Sequence, residues 1–294
     1  MRLAHSQSTP WKPVRAVRGG TIEFKTLLEG EEGTPDNYQL LLANTDVSFK
    51  SPRHRHNFDQ LRFSLTGSTN FGPKRNLEEG DLAYFPEGTY YGPQNQEEVG
   101  ENSLAMVIQF GGPSGNGYMS LRQLYQGFDK LQPEGRFEDG VFKRNSPGPD
   151  GRVNRDAYEA VWEYQNGRPV AYAKPRFMDP VHFREKNFAW QPVPGQTGVA
   201  TKNIGRFTEK GVGVHFVQLN AGANYTLPAA QQTQLVFVKH GTGRFGTGDE
   251  WFQHTAVHLS AGESAAMHAT TLTEAMILLL PAHDPSPTCV SASA

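Results

Sequence analysis

The sequence predicts an all-β protein built from two related β domains of the sandwich or barrel kind, with a minor helical linker between them. Short apolar runs such as Tyr38–Leu42, Leu61–Leu65, Leu82–Phe85 and Leu104–Ile108 recur between Gly, Pro and Asn, which is the punctuation of antiparallel sandwiches and barrels. Strand character stops near Tyr118 and resumes from Phe188 to Pro281. The second half also repeats the first: Gln60-Leu61-Arg62-Phe63 with Gly67 and Phe71 is echoed by Gln234-Leu235-Val236-Phe237 with Gly241 and Phe245, at one offset of 174 residues (Gln60 to Gln234).

Taken in order, the chain opens with Gly19-Gly20, an entry strand from Thr21 to Leu28 and an acidic turn, Glu29-Gly30-Glu31-Glu32-Gly33. The first β domain spans 1–117. In the linker, 118–187, Leu121, Leu124, Tyr125 and Phe128, then Tyr158, Val161 and Trp162, follow helical spacing around a stretch rich in Gly, Pro and charge, Gln132–Gly151. The second β domain spans 188–284, and 285–294 is a Ser/Ala/Pro-rich tail expected to be flexible. A flanking match, Leu77-Glu78-Glu79-Gly80-Asp81 with Leu259-Ser260-Ala261-Gly262-Glu263, runs at an offset of 182 (Leu77 to Leu259) and implies a longer hairpin in the second copy.

Composition narrows the class of function. The 294 residues carry 28 Lys and Arg against 30 Asp and Glu, without long blocks of one sign, which gives no electrostatic reason to expect nucleic acid or an acidic membrane as partner. The single cysteine, Cys289, excludes an intrachain disulfide and a cysteine-ligated zinc site. The segment Met1–Trp11 has charges where a signal peptide needs an apolar core, and no apolar run approaches the roughly 18 residues of a membrane span. The expectation is a cytoplasmic protein.

The chemistry concentrates at His54-Arg55-His56. On an extended chain, side chains alternate, so His54, His56, Gln60 and Arg62 share one face. Two imidazoles and an amide oxygen there can share one metal ion. Imidazole suits Zn, Cu, Fe and Ni, and oxygen donors also suit Mn and Fe, so the set does not name the ion. Arg62 can clamp a carboxylate or oxyanion with its planar fork. Of the remaining histidines, His182, His215, His240, His254, His258, His268 and His283 form no second His-x-His pair. Asp81 reads as turn chemistry, and Gly241-Thr242-Gly243-Arg244-Phe245-Gly246 lacks the lysine and helix of a phosphate loop.

His54-Arg55-His56-Asn57-Phe58-Asp59-Gln60 with Gly67 resembles the first cupin motif, and Gly80-Asp81-Leu82-Ala83-Tyr84-Phe85-Pro86-Glu87-Gly88-Thr89-Tyr90-Tyr91 the second. With the repeat, the chain resembles a bicupin: two antiparallel, jelly-roll-like β-barrels (double-stranded β-helices). The resemblance implies metal ligands at His54, His56 and Gln60. Tyr91 stands where the last histidine of the motif belongs. It reads three ways, as a phenolate ligand, as a donor or general acid beside an open metal site, or as an ordinary barrel aromatic, and with Arg62 it makes the candidate catalytic pair. Gln94 can line the same mouth. In the second domain Pro228 and Ala230 replace the histidines, so its metal site reads as lost. The resemblance implies a divalent transition metal, first Fe(II), with Mn, Ni or Zn as alternatives, and a dioxygenase acting on a small organic molecule. Metal-assisted isomerisation, dehydration or lyase chemistry is the second reading, non-catalytic ligand binding the third. Homodimerisation is a further family expectation.

Overall fold

The computed structural model describes residues 1–15 and 18–283; the segment 285–294, with Cys289, lies outside the described residues. Before the helices, seven strands belong to the two large sheets: β1 (Arg2–His5), β2 (Lys12–Pro13), β3 (Ile22–Glu29), β4 (Tyr38–Thr45), β5 (Asp59–Thr66), β6 (Asp81–Phe85) and β7 (Ser103–Phe110). Helices α1 (Leu121–Leu131) and α2 (Ala157–Asn166) and strand β8 (Val181–Arg184) follow. The second half adds β9 (Gln191–Pro192), β10 (Val199–Arg206), β11 (Gly213–Leu219), β12 (Gln234–His240), β13 (Thr255–Leu259) and β14 (Thr273–Leu279).

These strands form two seven-stranded sheets in the same spatial order, β8-β6-β5-β7-β4-β3-β2 and β1-β13-β12-β14-β11-β10-β9. In each sheet one edge strand comes from the other half of the chain. β1 pairs with β13, Leu3 opposite Val257, and β8 pairs with β6, Phe183 opposite Leu82. The exchange covers an edge that would otherwise offer unpaired N–H and C=O groups. Its sequence trace is Trp11-Lys12-Pro13-Val14 and Trp190-Gln191-Pro192-Val193, each spanning the short strand by which the chain enters its own sheet.

The register corrects one part of the repeat. Gln60 faces Phe85 and Gln234 faces Leu259, so the offset of 174 runs straight through the hairpin. The match at 182 paired the turn before β6 with the turn after β13. Glycine followed by an acid suits the approach to a strand and the exit from one equally well, so that pattern could not fix the register. The counterpart of Gly80 is His254, which holds a left-handed φ of 62° where Gly80 has 84°. Ser260 stands at the position of Pro86, and Ala265 at that of Tyr91.

Alternation along β5 divides its side chains between two environments. Leu61 and Phe63 point into a core shared by both halves, where they join Met106 and Ile108 against Phe216, Phe237, Met276 and Leu278; the rings of Phe63 and Phe216 lie 5.6 Å apart. The two large sheets therefore pack back to back. Gln60 and Arg62 point the other way, into the N-terminal barrel.

The two barrel interiors differ. The C-terminal one is filled by Val236, Val257, Ile277, Phe245, Trp251 and Met267, beneath a continuous sheet of segments 224–227, 265–269, 243–245 and 250–251. The corresponding layer of the N-terminal barrel is broken into two ribbons, 50–51 with 94–95 and 69–72 with 75–77, and its inner wall carries small Ala43 and Ala105. A cavity remains there.

The linker helices close that barrel's mouth. Ser120 caps α1 by accepting from Gln123 N–H, while the Gln123 side chain accepts from Ser120 N–H. Asp156 caps α2 by accepting from Glu159 N–H. Tyr118, Met119, Leu124 and Tyr158 from this region line the cavity, and Tyr158 Oη donates to Asn57 Oδ1 at 2.8 Å. Among the described residues no helix is long and apolar enough to cross a membrane.

Candidate functional site

His54, His56, Gln60, Arg62 and Tyr91 all line one cavity of about 170 Å³ inside the N-terminal barrel, and Gln94 lines it too. The histidines reach it without the regular strand expected of them. His54 forms a single bridge with Tyr91, each N–H donating to the other's carbonyl at 3.0 Å, and β5 begins only at Asp59. Between them the chain leaves the sheet: the His56 carbonyl is taken by Gly88 N–H, and Phe58 turns up into the core under the helices. Both imidazoles still face the cavity, their rings 5.0 Å apart.

Hydrogen bonds fix one side of each histidine and tie Arg62 to Gln60 and Tyr91. His54 Nδ1 lies 2.7 Å from the Pro52 carbonyl, which can only accept, so Nδ1 carries the proton and Nε2 presents a lone pair. His56 Nδ1 lies 3.4 Å from Tyr91 Oη. Neither Nε2 has a hydrogen-bond partner among the described residues. Arg62 Nε donates to Gln60 Oε1 at 2.6 Å and its Nη2 to Tyr91 Oη at 3.0 Å. The guanidinium also rests on the Phe85 and Tyr91 rings.

Burial sets the protonation states. It holds both imidazoles well below their usual range; the Arg18 guanidinium adds to this at His54, and His54 followed by Arg18 adds to it at His56. Both rings are therefore neutral at pH 7. Burial pushes the Tyr91 hydroxyl up, opposed by Arg62. On the opposite face of β5, Asp59 accepts from Tyr84 Oη at 2.7 Å and from Glu87 N–H at 2.8 Å. Burial raises its carboxyl to about 7.

The implied metal fits half of its donor set. His54 Nε2 offers a lone pair, and the Nδ1 bond behind it is the kind that orients ligating imidazoles. The other half is engaged: Gln60 Oε1 and Tyr91 Oη are both bound to Arg62. A doubly charged ion on Gln60 Oε1 would stand roughly 5 Å from that guanidinium, a repulsion on the order of 7 kcal/mol at an effective dielectric near 20. Arg18, another cation, lines the same cavity, and none of the described residues lining it is Asp, Glu or Cys. Correspondingly, no group of three or more His, Cys, Asp or Glu suited to a metal occurs among the described residues.

Arg18, Tyr118 and Tyr158 escape the sequence reading. Arg18 precedes Gly19-Gly20 in a loop with no strand parity to place it, and the tyrosines reach the barrel from the linker. The only trace of that placement is the aromatic content of the helical segments.

No protein-family model matches the chain, and no curated relative does. Solved structures do. A candidate dioxygenase from Nostoc punctiforme superposes with a TM-score of 0.61 at 11% identity, covering 98% of this chain and 85% of that one. Oxalate decarboxylase from Bacillus subtilis gives 0.54 at 12% identity, covering 97% and 77%. Quercetin 2,3-dioxygenase from Acinetobacter baumannii gives 0.52 at 13%, covering 97% and 88%. Two exchanged seven-stranded sheets, a repeat in register along the chain and these superpositions give one conclusion: the chain has the two-domain cupin fold.

Proposed function

We propose that the chain captures one small organic molecule in its N-terminal barrel and moves a proton on it without oxidation, as an isomerase, dehydratase or lyase does. The observation that carries this reading is the contrast between the barrels. One is packed solid, and the other keeps a lidded cavity on which His56, Arg62 and Tyr91 converge. Tyr91 Oη accepts from Arg62, so its own proton can pass to the ligand. Arg62 then stabilises negative charge left on the phenol oxygen. His56, neutral and buried, can take up or return the proton. Gln60 holds the guanidinium in place, and the helical lid keeps water out.

The test is deuterium incorporation. Small carbonyl compounds and carboxylic acids are incubated with the protein in D₂O and followed by NMR. The wild type is expected to exchange a carbon-bound proton on at least one of them, roughly 100-fold or more faster than Tyr91→Phe. Ala105→Phe, which fills the cavity, should abolish exchange. Equal exchange in all three proteins, or turnover that stops under nitrogen, would overturn the reading.

A divalent metal is the second reading, favoured by the lone pair on His54 Nε2 and by the Mn(II) centres of the similarly folded B. subtilis oxalate decarboxylase. Bound there, it would act as a Lewis acid toward a ligand oxygen. That reading requires about one equivalent of metal in protein purified without added metal, lost in His54→Ala. Less than about a tenth of an equivalent, with no thermal shift on adding Fe(II), Mn(II), Ni(II) or Zn(II), sinks it.

A further inference from the structure

We infer that the N-terminal barrel is a receptor for a small organic monocarboxylate, with the Arg62 guanidinium standing where a metal ion would and forming the anion's principal contact. This rests on the reading of the barrel as a small-molecule site and names the class of molecule.

Arg62 carries five N–H groups. One on Nε and one on Nη2 are taken by Gln60 Oε1 and Tyr91 Oη. Both acceptors are neutral, and Arg62 forms no ion pair among the described residues. The edge from Nη1 to Nη2 keeps N–H groups without an acceptor among the described residues, and the side chain lines the cavity. That edge matches a carboxylate, which has two coplanar acceptor oxygens.

The charge balance points the same way. A buried guanidinium without a counter-ion is costly unless something compensates it. Arg18 lines the same cavity and pairs with Asp156 Oδ2 at 3.7 Å, while its Nη1 has no hydrogen-bond partner among the described residues. Among the described residues no acidic side chain lines the space. Asp156 offsets Arg18, while Arg62 has no carboxylate partner among the described residues, which leaves room for a single negative charge that the ligand supplies.

The walls describe the rest of the molecule. Ile22, Phe24, Val107, Met119, Leu121 and Leu124 are apolar, so the body opposite the carboxylate is too. A cavity of about 170 Å³ is comparable with the roughly 150 Å³ engineered cavity that holds benzene. It takes one ring or a short branched chain plus the carboxylate, and is too small for a fused polycyclic substrate. The lone pair on His54 Nε2 matches a hydroxyl on that body.

The test compares acids with neutral amides of the same shape by calorimetric titration: benzoate with benzamide, 2-hydroxybenzoate with 2-hydroxybenzamide, and cyclohexanecarboxylate with its amide. The wild type should bind at least one acid on the order of tenfold or more tighter than its amide. Arg62→Met should lose that preference, and Arg18→Met should reduce it. Far-UV circular dichroism and the melting curve of each variant establish that it is folded. If acids and amides bind alike, or the preference survives in folded Arg62→Met, the anion inference fails and the cavity reading stands. If no probe binds and Ala105→Phe changes nothing, the cavity reading fails and takes the inference with it.

Discussion

Arg62 is held in a position that serves binding rather than folding. Its guanidinium is buried against Phe85 and Tyr91 with only neutral acceptors, so replacing it with an apolar side chain of similar length removes an uncompensated charge. Arg62→Met is expected to melt no lower than the wild type and to gain up to about 1–4 kcal/mol. A loss of more than about 2 kcal/mol in urea titration would mean that the cation supports the fold. Asp59, one residue from Gln60, makes the opposite kind of bargain. Burial raises its carboxyl from 3.8 to about 7, so between those values the folded state keeps a proton that the unfolded chain has lost. Stability from this group is complete below about pH 4 and falls as pH rises through 7, by on the order of 4 kcal/mol. The wild type should therefore lose ground to Asp59→Asn across that window, whatever the buried histidines contribute to both. Parallel stability curves would contradict the assignment. The common face of Gln60 and Arg62 was legible because β5 is regular there. Their bond to one another was not, since parity places side chains without saying which of them touch.

The helical region acts as a lid because its caps fix where the helices begin. Ser120 closes a reciprocal cap on α1 and donates to Glu32 as well. Ser120→Ala should cost about 1 kcal/mol and, in hydrogen exchange, speed the amides of α1 without affecting β12 or β14. Uniform loss of protection across both barrels would show that the lid is not a separable unit. The spacing of Leu121, Leu124 and Phe128 predicts α1, and Tyr158, Val161 and Trp162 predict α2, but no local pattern says which barrel they cover. That is settled by Tyr158 meeting Asn57, across 101 residues. The mismatched hairpin has a similar cause. Leu77–Asp81 and Leu259–Glu263 share turn chemistry, which is local, while register is set by the pairing of Gln60 with Phe85 and Gln234 with Leu259. His254, in the left-handed conformation usually reserved for glycine, hid the true counterpart of Gly80.

The molecule as a whole is two copies of one plan put to different uses. Back-to-back packing through Phe63, Phe216 and Phe237, with β1 and β8 exchanged, ties the halves together. Phe216→Ala should destabilise both barrels in a single transition by about 3–5 kcal/mol. Two separated calorimetric transitions would show that the shared core does not couple them. The two-domain plan was legible from the 174-residue repeat, yet the exchange of edge strands was not, because β1 and β8 are only four residues each. The difference between the barrels was visible in part: Pro228 and Ala230 replace the histidines, and the register adds Val236 for Arg62 and Ala265 for Tyr91, so of the polar constellation the filled barrel keeps only Gln234, whose amide donates to the Pro228 carbonyl. The most direct test of a guanidinium working in place of a metal is to titrate the chelator-treated, dialysed protein with the tightest-binding carboxylate. Affinity unchanged by chelator and by added divalent ion is the expected result. Binding that disappears with chelator and returns with one equivalent of a divalent ion would contradict it.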